Sequence, residues 1–149
     1  MGWRFKGNEI KYIKQVLDND LRPKVKFSFN EKLEKLFSKK HKQKYAITAN
    51  SGTSTLHIAL NALGVGHGDE VILPNLTVSM CGFAIWQCGA TPVYADVDQD
   101  TYNICPKDIK KKITKKTKAI MVVHIYGLMA DMTSINKIAK KNNLYVYLI

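Results

Sequence analysis

The segment from Tyr45 to Thr77, YAITANSGTSTLHIALNALGVGHGDEVILPNLT, decides the fold of this 149-residue chain. A short apolar run at 45–48 predicts a strand, and a second run at 71–73 predicts another. Between them, leucines recur at i, i+4 and i+7, which predicts a helix over about 53–63 with one buried face. Gly64 is expected to end that helix, because glycine readily adopts the left-handed conformation of a helix C-terminus. The segment therefore predicts a strand–helix–strand unit.

The same alternation continues to the end of the chain. Further strands are predicted at 92–95, 118–123 and 144–149, with helices at about 78–88, 106–113 and 132–142. The strands are almost continuously apolar, as strands of a parallel sheet covered on both faces must be. The pattern predicts a three-layer α/β/α domain with a mostly parallel sheet over 45–149. Residues 1–44 predict a separate helical segment with two amphipathic patterns, broken near Pro23.

Composition narrows the class of protein. The chain is 46% hydrophobic, which suits one globular domain, and no apolar run reaches the ~20 residues of a membrane span. No secretory signal opens it, and its three cysteines have spacings that suit neither zinc nor disulfides, so we expect a reduced, cytoplasmic protein without membrane contact. The net charge of +11 comes almost wholly from lysines on predicted helix faces, so we do not expect nucleic-acid binding.

The turn from Asn50 to Thr55, NSGTST, is the strongest chemical signal. Gly52 would let a ligand approach the backbone, and the first N–H groups of the following helix would point at an anion. The hydroxyls of Thr53 and Ser54 would add donors for phosphate oxygens. The alternative is an ordinary helix cap, since Ser-Gly-Thr also suits that role. The sequence matches neither a Walker P-loop nor a dinucleotide fingerprint, because GVGHG at 64–68 follows a helix and not a strand.

Three motifs in order indicate a family. The segment just quoted, then GATPVYADVDQDTYNI, then ITKKTKAIMVVHIYGLMADMTSI, resemble the DegT/DnrJ/EryC1/StrS sugar aminotransferases over about residues 7–146. The resemblance implies a fold-type-I pyridoxal-phosphate enzyme, of which 45–149 would be part of the large domain. It implies a homodimer that transfers an amino group from glutamate to a nucleotide-linked keto sugar, a reaction of polysaccharide biosynthesis.

Site residues follow from the resemblance by position. Gly52, Thr53 and Ser54 match the family's phosphate-binding turn. Val78 stands where the family has an aromatic residue stacked on the cofactor ring; an aliphatic side chain still packs there, but it loses about 1 kcal/mol of stacking. His124 either lines the cofactor pocket or shapes the strand-to-loop turn, the second being favoured. Asp96 and Asp98 match an architectural run of the family, and no metal is expected.

The residues that perform the family's chemistry are not matched. The resemblance implies a Glu-Asp pair, whose aspartate holds the pyridine nitrogen, where Leu148 and Ile149 stand, and a Schiff-base lysine that no lysine here matches. We therefore assign no catalytic residue and expect a truncated, inactive amino-terminal fragment, from a broken gene or a split enzyme. A sugar dehydratase of the same superfamily and a non-catalytic partner of a full-length paralogue stay open. The sugar and the carbon aminated stay undetermined.

Overall fold

A computed structural model describes residues 7–20 and 29–149. The chain divides into two compact units between Thr48 and Ala49, and each unit is described by itself. No helix among the described residues is long and apolar enough to cross a membrane.

The amino-terminal unit contains both helices that the sequence predicts, α1 (Glu9–Asp20) and α2 (Phe29–Lys40). Each helix carries an apolar stripe that is largely solvent-exposed within the unit. After α2, the carboxylate of Glu34 accepts hydrogen bonds from the Thr48 amide at 2.8 Å and from the Thr48 hydroxyl at 2.9 Å. These bonds lower the pKa of Glu34, the amide contributing most. The break predicted at Pro23 lies outside the described residues.

The strand predicted at residues 45–48 does not form, and this part of the sequence analysis is wrong. Residues 45–48 are irregular, and none of the described strands pairs with them. Tyr45 and Ile47 are 72% and 71% exposed. A strand requires a partner for its backbone groups, and an apolar run alone cannot supply one. The helix that follows therefore starts from an irregular segment and not from a sheet strand.

The second unit contains a parallel four-stranded sheet. Its strands are β1 (Glu70–Pro74), β2 (Thr91–Ala95), β3 (Thr117–Val122) and β4 (Tyr145–Leu148), in the spatial order β2-β1-β3-β4. The two central strands are almost fully buried, as the continuous apolar runs predict. In strand β1, for example, Val71 faces one side of the sheet and Ile72 the other, and neither is exposed.

Helices cover both faces of this sheet. They are α3 (Gly52–Ala62), α4 (Met80–Gln87), α5 (Pro106–Lys112) and α6 (Met132–Asn142), with a short 3-10 turn at Ile125–Gly127. Leu56 and Leu60 of α3 and Ile85 of α4 join one apolar cluster. Ile109 of α5 and Ile135 of α6 join the cluster on the opposite face. The predicted three-layer α/β/α architecture is confirmed.

The strand order reverses direction once. From β1 the chain crosses by α4 to β2 on one side, then returns by α5 to β3 on the other side of β1. Because parallel crossovers are right-handed, this reversal places α4 on one face of the sheet and α5 and α6 on the other. The loops that leave β1 and β3 therefore diverge at their carboxyl ends. In open α/β sheets, ligands bind in the crevice that such a reversal creates.

The residues that adopt the left-handed backbone conformation are of different types at the two ends of the sheet. At the amino ends of the strands they are Gly64, Gly68, Gly89 and Asn143, residue types that adopt positive φ at low cost. In the loops that follow the carboxyl ends of β2 and β3 they include two tyrosines, Tyr102 at φ 57° and Tyr126 at φ 52°. An aromatic residue in this conformation is strained by about 1–2 kcal/mol.

Candidate functional site

Helix α3 begins at the carboxyl edge of the sheet. Its 11 residues span about 16 Å, close to the roughly 17 Å of the five-residue strand β1 that follows. Leu56 and Leu60 of α3 pack on the same face as Val71 of β1. The chain then turns through residues 63–69 into the amino end of β1. The first turn of α3, which holds Gly52, therefore lies beyond the opposite, carboxyl ends of the strands.

Hydrogen bonds at this first turn determine which groups are open to a ligand. Ser51 is the N-cap: its Oγ accepts from the Ser54 amide at 3.2 Å, and its carbonyl accepts from the Thr55 amide at 3.1 Å. The Ser54 hydroxyl donates to Asn50 Oδ1 at 2.7 Å. None of the described residues accepts a hydrogen bond from the amide of Gly52 or Thr53. The turn is thus a capped helix start that still directs two amides outward.

Gly52 adjoins open space. A Cβ placed on it would meet no atom within 4 Å, and its φ lies outside the left-handed region. Neither packing within this unit nor backbone conformation therefore requires a glycine. A bare backbone at a helix N-terminus is the arrangement that lets an anion reach the amides. Gly52 and Thr53 fit a phosphate group, whereas Ser54 is already engaged by its own cap.

Val78 lies at the same edge, four residues after β1 ends at Pro74 and just before α4 begins. Its side chain is 67% exposed, and its carbonyl accepts from the Cys81 amide at 3.0 Å. Beside it, the Thr77 hydroxyl and the buried Cys81 thiol are 3.3 Å apart. Val78 is therefore an uncovered aliphatic side chain on a segment that hydrogen bonds hold in place.

His124 follows strand β3 at this edge. Its Nδ1 accepts a hydrogen bond from the Ala130 amide at 3.2 Å, and its carbonyl accepts from the Gly127 amide at 3.0 Å. The histidine thus shapes the strand-to-loop turn, the role that the sequence analysis favours. A ring nitrogen that accepts carries no proton, so neutral His124 carries its proton on Nε2. Nε2 has no hydrogen-bond partner among the described residues, which leaves a donor at the ligand edge.

Ile149 lies directly beside His124. Its amide donates to the Val122 carbonyl at 2.9 Å, and its carbonyl accepts from the His124 amide at 3.2 Å. Leu148 pairs with Val122 in the register of β3 and β4. Both positions therefore reach the carboxyl edge that the first turn of α3 and Val78 also reach. The edge combines outward amides, an aliphatic surface and an imidazole N–H, a set that suits a flat ligand with a phosphate.

Comparison with known proteins identifies the family of this chain. The family profile described as "DegT/DnrJ/EryC1/StrS aminotransferase family" matches residues 4–148. The chain belongs to this aminotransferase family.

Two of the relatives are named for nucleotide-linked amino sugars. GDP-perosamine synthase of Escherichia coli O157:H7 is 44% identical over 140 residues, which cover 94% of this chain and 38% of that protein. The dTDP-3-amino-3,6-dideoxy-alpha-D-galactopyranose transaminase of Aneurinibacillus thermoaerophilus is 52% identical over 103 residues, 69% of this chain and 28% of that one. The chain therefore spans less than two fifths of the length of these curated relatives.

Two solved aminotransferase structures contain the same fold. The aminotransferase from Psychrobacter cryohalolentis superimposes with a TM-score of 0.86 at 37% identity, over 97% of this chain and 36% of that chain. NtdA from Bacillus subtilis, solved with bound cofactor PMP, superimposes with a TM-score of 0.83 at 35% identity, over 95% and 33%.

Asp96 and Asp98 of this DegT/DnrJ/EryC1/StrS chain have structural partners. Asp98 accepts from the Thr101 amide at 3.0 Å, from the Thr101 hydroxyl and from the Asp100 amide, and these bonds lower its pKa, the Thr101 amide most. Asp96 Oδ1 accepts from the Asn75 side chain at 3.2 Å and from the Val97 amide at 2.8 Å. Residues 7–20 and 29–149 contain no cluster of three metal-ligating side chains.

Asn103 is the residue at this edge that the sequence analysis misses. It is 3% exposed, and its side chain bonds to both ends of the segment after His124: Oδ1 accepts from the Ile125 amide at 3.2 Å, and Nδ2 donates to the Leu128 carbonyl at 3.1 Å. In the sequence it follows DVDQDTY and looks like one more turn residue. The only feature of the sequence that points to its burial is the apolar Ile104 next to it.

Proposed function

We propose that this chain forms the phosphate-binding part of a pyridoxal-phosphate aminotransferase that acts on a nucleotide-linked keto sugar. The observation that carries the proposal is the pair of outward amides at Gly52 and Thr53, which open a helix where the family profile matches. Family membership and the names of the relatives support the substrate class. The bound cofactor would act as an electron sink for amino transfer, with glutamate as the donor.

Each residue of the edge has a defined task in this proposal. The Gly52 and Thr53 amides, with the Thr53 hydroxyl, bind the phosphate, and the N-terminal dipole of α3 stabilises its charge. The Ser54 amide also binds the phosphate when the anion replaces Ser51 Oγ as its hydrogen-bond acceptor. Val78 would pack on a face of the cofactor ring. The ring nitrogen would need a carboxylate, which the apolar side chains of Leu148 and Ile149 cannot supply.

Binding without turnover is therefore the expected behaviour of the chain alone. Isothermal titration with pyridoxal 5′-phosphate should show saturable binding that inorganic phosphate competes away. Thr53→Val keeps the side-chain volume and removes the hydroxyl, so it should weaken binding about 10- to 150-fold, the effect of one hydrogen bond to a charged group. Thr114→Val, at the opposite edge of the sheet, is the matched control.

One result would refute the proposal, and another would refute the expected lack of turnover. If pyridoxal and pyridoxal 5′-phosphate bind with equal affinity, the turn does not recognise phosphate. If the isolated chain transfers an amino group from glutamate to a nucleotide-linked keto sugar, the assignment of Leu148 and Ile149 as a catalytic gap is wrong.

A second role has an observation of its own. On α3 and α4, Ile58, Phe83 and Trp86 form an outward apolar set, and Trp86 is 69% exposed. Exposed large apolar side chains on adjacent helices often mark a contact with another chain. We propose that this face forms the homodimer, or pairs with a full-length paralogue; the two differ in whether purified protein alone dimerises.

A further inference from the structure

The segment 124–128, which follows β3, is held from both sides by one side chain. Asn103 comes from the loop between β2 and α5, on the far side of β1. Its amide oxygen accepts from the Ile125 amide at 3.2 Å and its amide nitrogen donates to the Leu128 carbonyl at 3.1 Å. A single side chain thus satisfies a backbone donor and a backbone acceptor three residues apart. This arrangement joins the loop after β2 to the loop after β3.

The bridged segment is strained where it is most exposed. Tyr126 has φ 52° and ψ 23°, and its side chain is 92% exposed. Strain in a non-glycine residue persists only where its surroundings enforce it, and it concentrates at ligand-binding segments. The enforcing bonds here are those of Asn103, together with the Gly127 amide to the His124 carbonyl at 3.0 Å. An aromatic ring that contributes nothing to the core is therefore held outward at the ligand edge.

The same bridge fixes the proton of His124. The Ala130 amide reaches His124 Nδ1 only while residues 125–128 keep their path, because that segment joins the two residues. With Nδ1 occupied as an acceptor, the ring proton stays on Nε2, where no described residue takes it. The donor thereby keeps one defined position at the edge.

We propose that Asn103 is a positioning residue of the cofactor site: it fixes residues 124–128 so that His124 offers Nε2–H, and Tyr126 its ring, to the bound ligand. This inference rests on the proposed function. The ligand group that it predicts beside His124 is an acceptor atom on the ring of pyridoxal 5′-phosphate, not its phosphate, because the phosphate is assigned to the Gly52 turn.

The first test is on the ligand-free chain, by nitrogen-15 NMR of the His124 ring. The native chain should show one dominant tautomer with the proton on Nε2. Asn103→Ala should give a mixture of tautomers and increase the amide exchange rates of Ile125 and Ala130 about 3- to 10-fold, as expected for the loss of a hydrogen bond. Asn142→Ala is the matched control, because the Asn142 side chain donates to the Ile138 carbonyl at 2.8 Å within α6.

A second variant keeps the test decisive if Asn103→Ala does not fold. Asn103→Asp retains an acceptor for the Ile125 amide and loses the donor to the Leu128 carbonyl. It should therefore keep Ile125 protected from exchange while the tautomer of His124 becomes mixed. An unchanged His124 tautomer in a folded Asn103 variant, or an equal change in Asn142→Ala, overturns the inference.

The ligand arm separates this inference from the proposed function. Pyridoxal 5′-phosphate should shift the signals of His124 and Tyr126, whereas inorganic phosphate should shift only Gly52 and Thr53. If pyridoxal 5′-phosphate shifts Gly52 and Thr53 but leaves His124 and Tyr126 unchanged, the positioning role is wrong and the proposed function stands. If it shifts none of the four, the proposed function fails and the inference fails with it.

Discussion

At the scale of single residues, local chemistry was visible in the sequence and long-range bonding was not. The Gly52 turn could be predicted because its helix start and its hydroxyls are adjacent in the chain. Asn103 could not, because its two partners lie 22 and 25 positions away. The left-handed conformation of Tyr126 also depends on those partners, and nothing in the side chain of a tyrosine favours it.

Gly89 gives a residue-scale prediction. It has φ +77°, and an added Cβ would lie 2.7–2.9 Å from ring atoms of His67. Gly89→Ala should lower the free energy of unfolding by about 2–4 kcal/mol, combining backbone strain with overpacking. Gly68→Ala, at φ +86° with no atom within 4 Å, should show the strain alone, about 1–2 kcal/mol.

Urea denaturation of the two variants measures this difference. Adding His67→Ala to Gly89→Ala should recover the overpacking part only. Equal losses in the two glycine variants would show that the His67 ring moves aside without cost.

At the scale of elements, helices are easier to predict from the sequence than strand pairing and strand order. The leucine spacing and the terminating glycine predict a helix over about 53–63, and α3 extends over Gly52–Ala62. The agreement is close because both signals are local. The prediction of a strand at 45–48 is wrong because strand formation depends on a second segment that pairs with the first. The reversal of strand order was not predictable from the pattern either, since every alternating α/β sequence allows several orders.

The cap of α3 yields an element-scale prediction. Ser51→Ala removes the acceptor of the Ser54 amide and should cost about 1 kcal/mol of stability. The same change frees a third amide at the proposed phosphate site. Thermal unfolding should therefore show a less stable protein, whereas titration should show phosphate affinity that is equal or higher. Loss of affinity in a folded Ser51→Ala variant would mean that Ser51 itself contacts the ligand.

The cap of α6 gives a pH-dependent prediction. Asp131 accepts from the Ser134 amide at 3.0 Å, and hydrogen bonds from Ser134 lower the pKa of Asp131. A lowered pKa in the folded state means that the charge stabilises the protein above the ordinary carboxyl pKa of about 4 and that this contribution is lost as the pH falls through the folded value. Asp131→Asn still caps the helix but lacks the charge.

The stability difference between native chain and Asp131→Asn should therefore be largest near neutral pH and vanish in acid. Denaturant unfolding at a series of pH values measures it. Asp131→Ala, which removes the cap as well, should stay destabilised across the range. A difference for Asp131→Asn that is constant with pH would contradict the assigned cause.

At the scale of the whole molecule, the two helical layers of the second unit expose different surfaces. The α3–α4 layer exposes apolar side chains, and the α5–α6 layer exposes lysines around a groove of about 620 Å³. Trp86→Glu should reduce concentration-dependent self-association, measured by light scattering during gel filtration. Met129→Glu, 71% exposed in a loop, is the control that should leave association unchanged. Equal behaviour of the two variants would exclude α4 from the contact.

The lysine-rich layer gives a charge prediction. Its lysines are spread along two solvated helix faces, so anion binding should follow bulk electrostatics. The chain should leave heparin at the salt concentration at which it leaves a plain sulfonate exchanger. Marked retention on heparin beyond that point would indicate specific recognition of a polyanion and would revise the expectation about nucleic acid.

The contrast in left-handed residues has a consequence for how the protein tolerates change. The turns at the amino rim of the sheet contain glycine and asparagine, which adopt positive φ with little strain. Lengthening these turns would disturb folding but would leave the proposed ligand site unchanged. Strained turns that contain tyrosines border the carboxyl rim. Relaxation of these turns would weaken ligand binding at the proposed site more than it would lower the stability of the fold. Sequence changes at the amino rim should therefore reduce the yield of folded protein, and changes at the carboxyl rim should alter ligand binding at the proposed site.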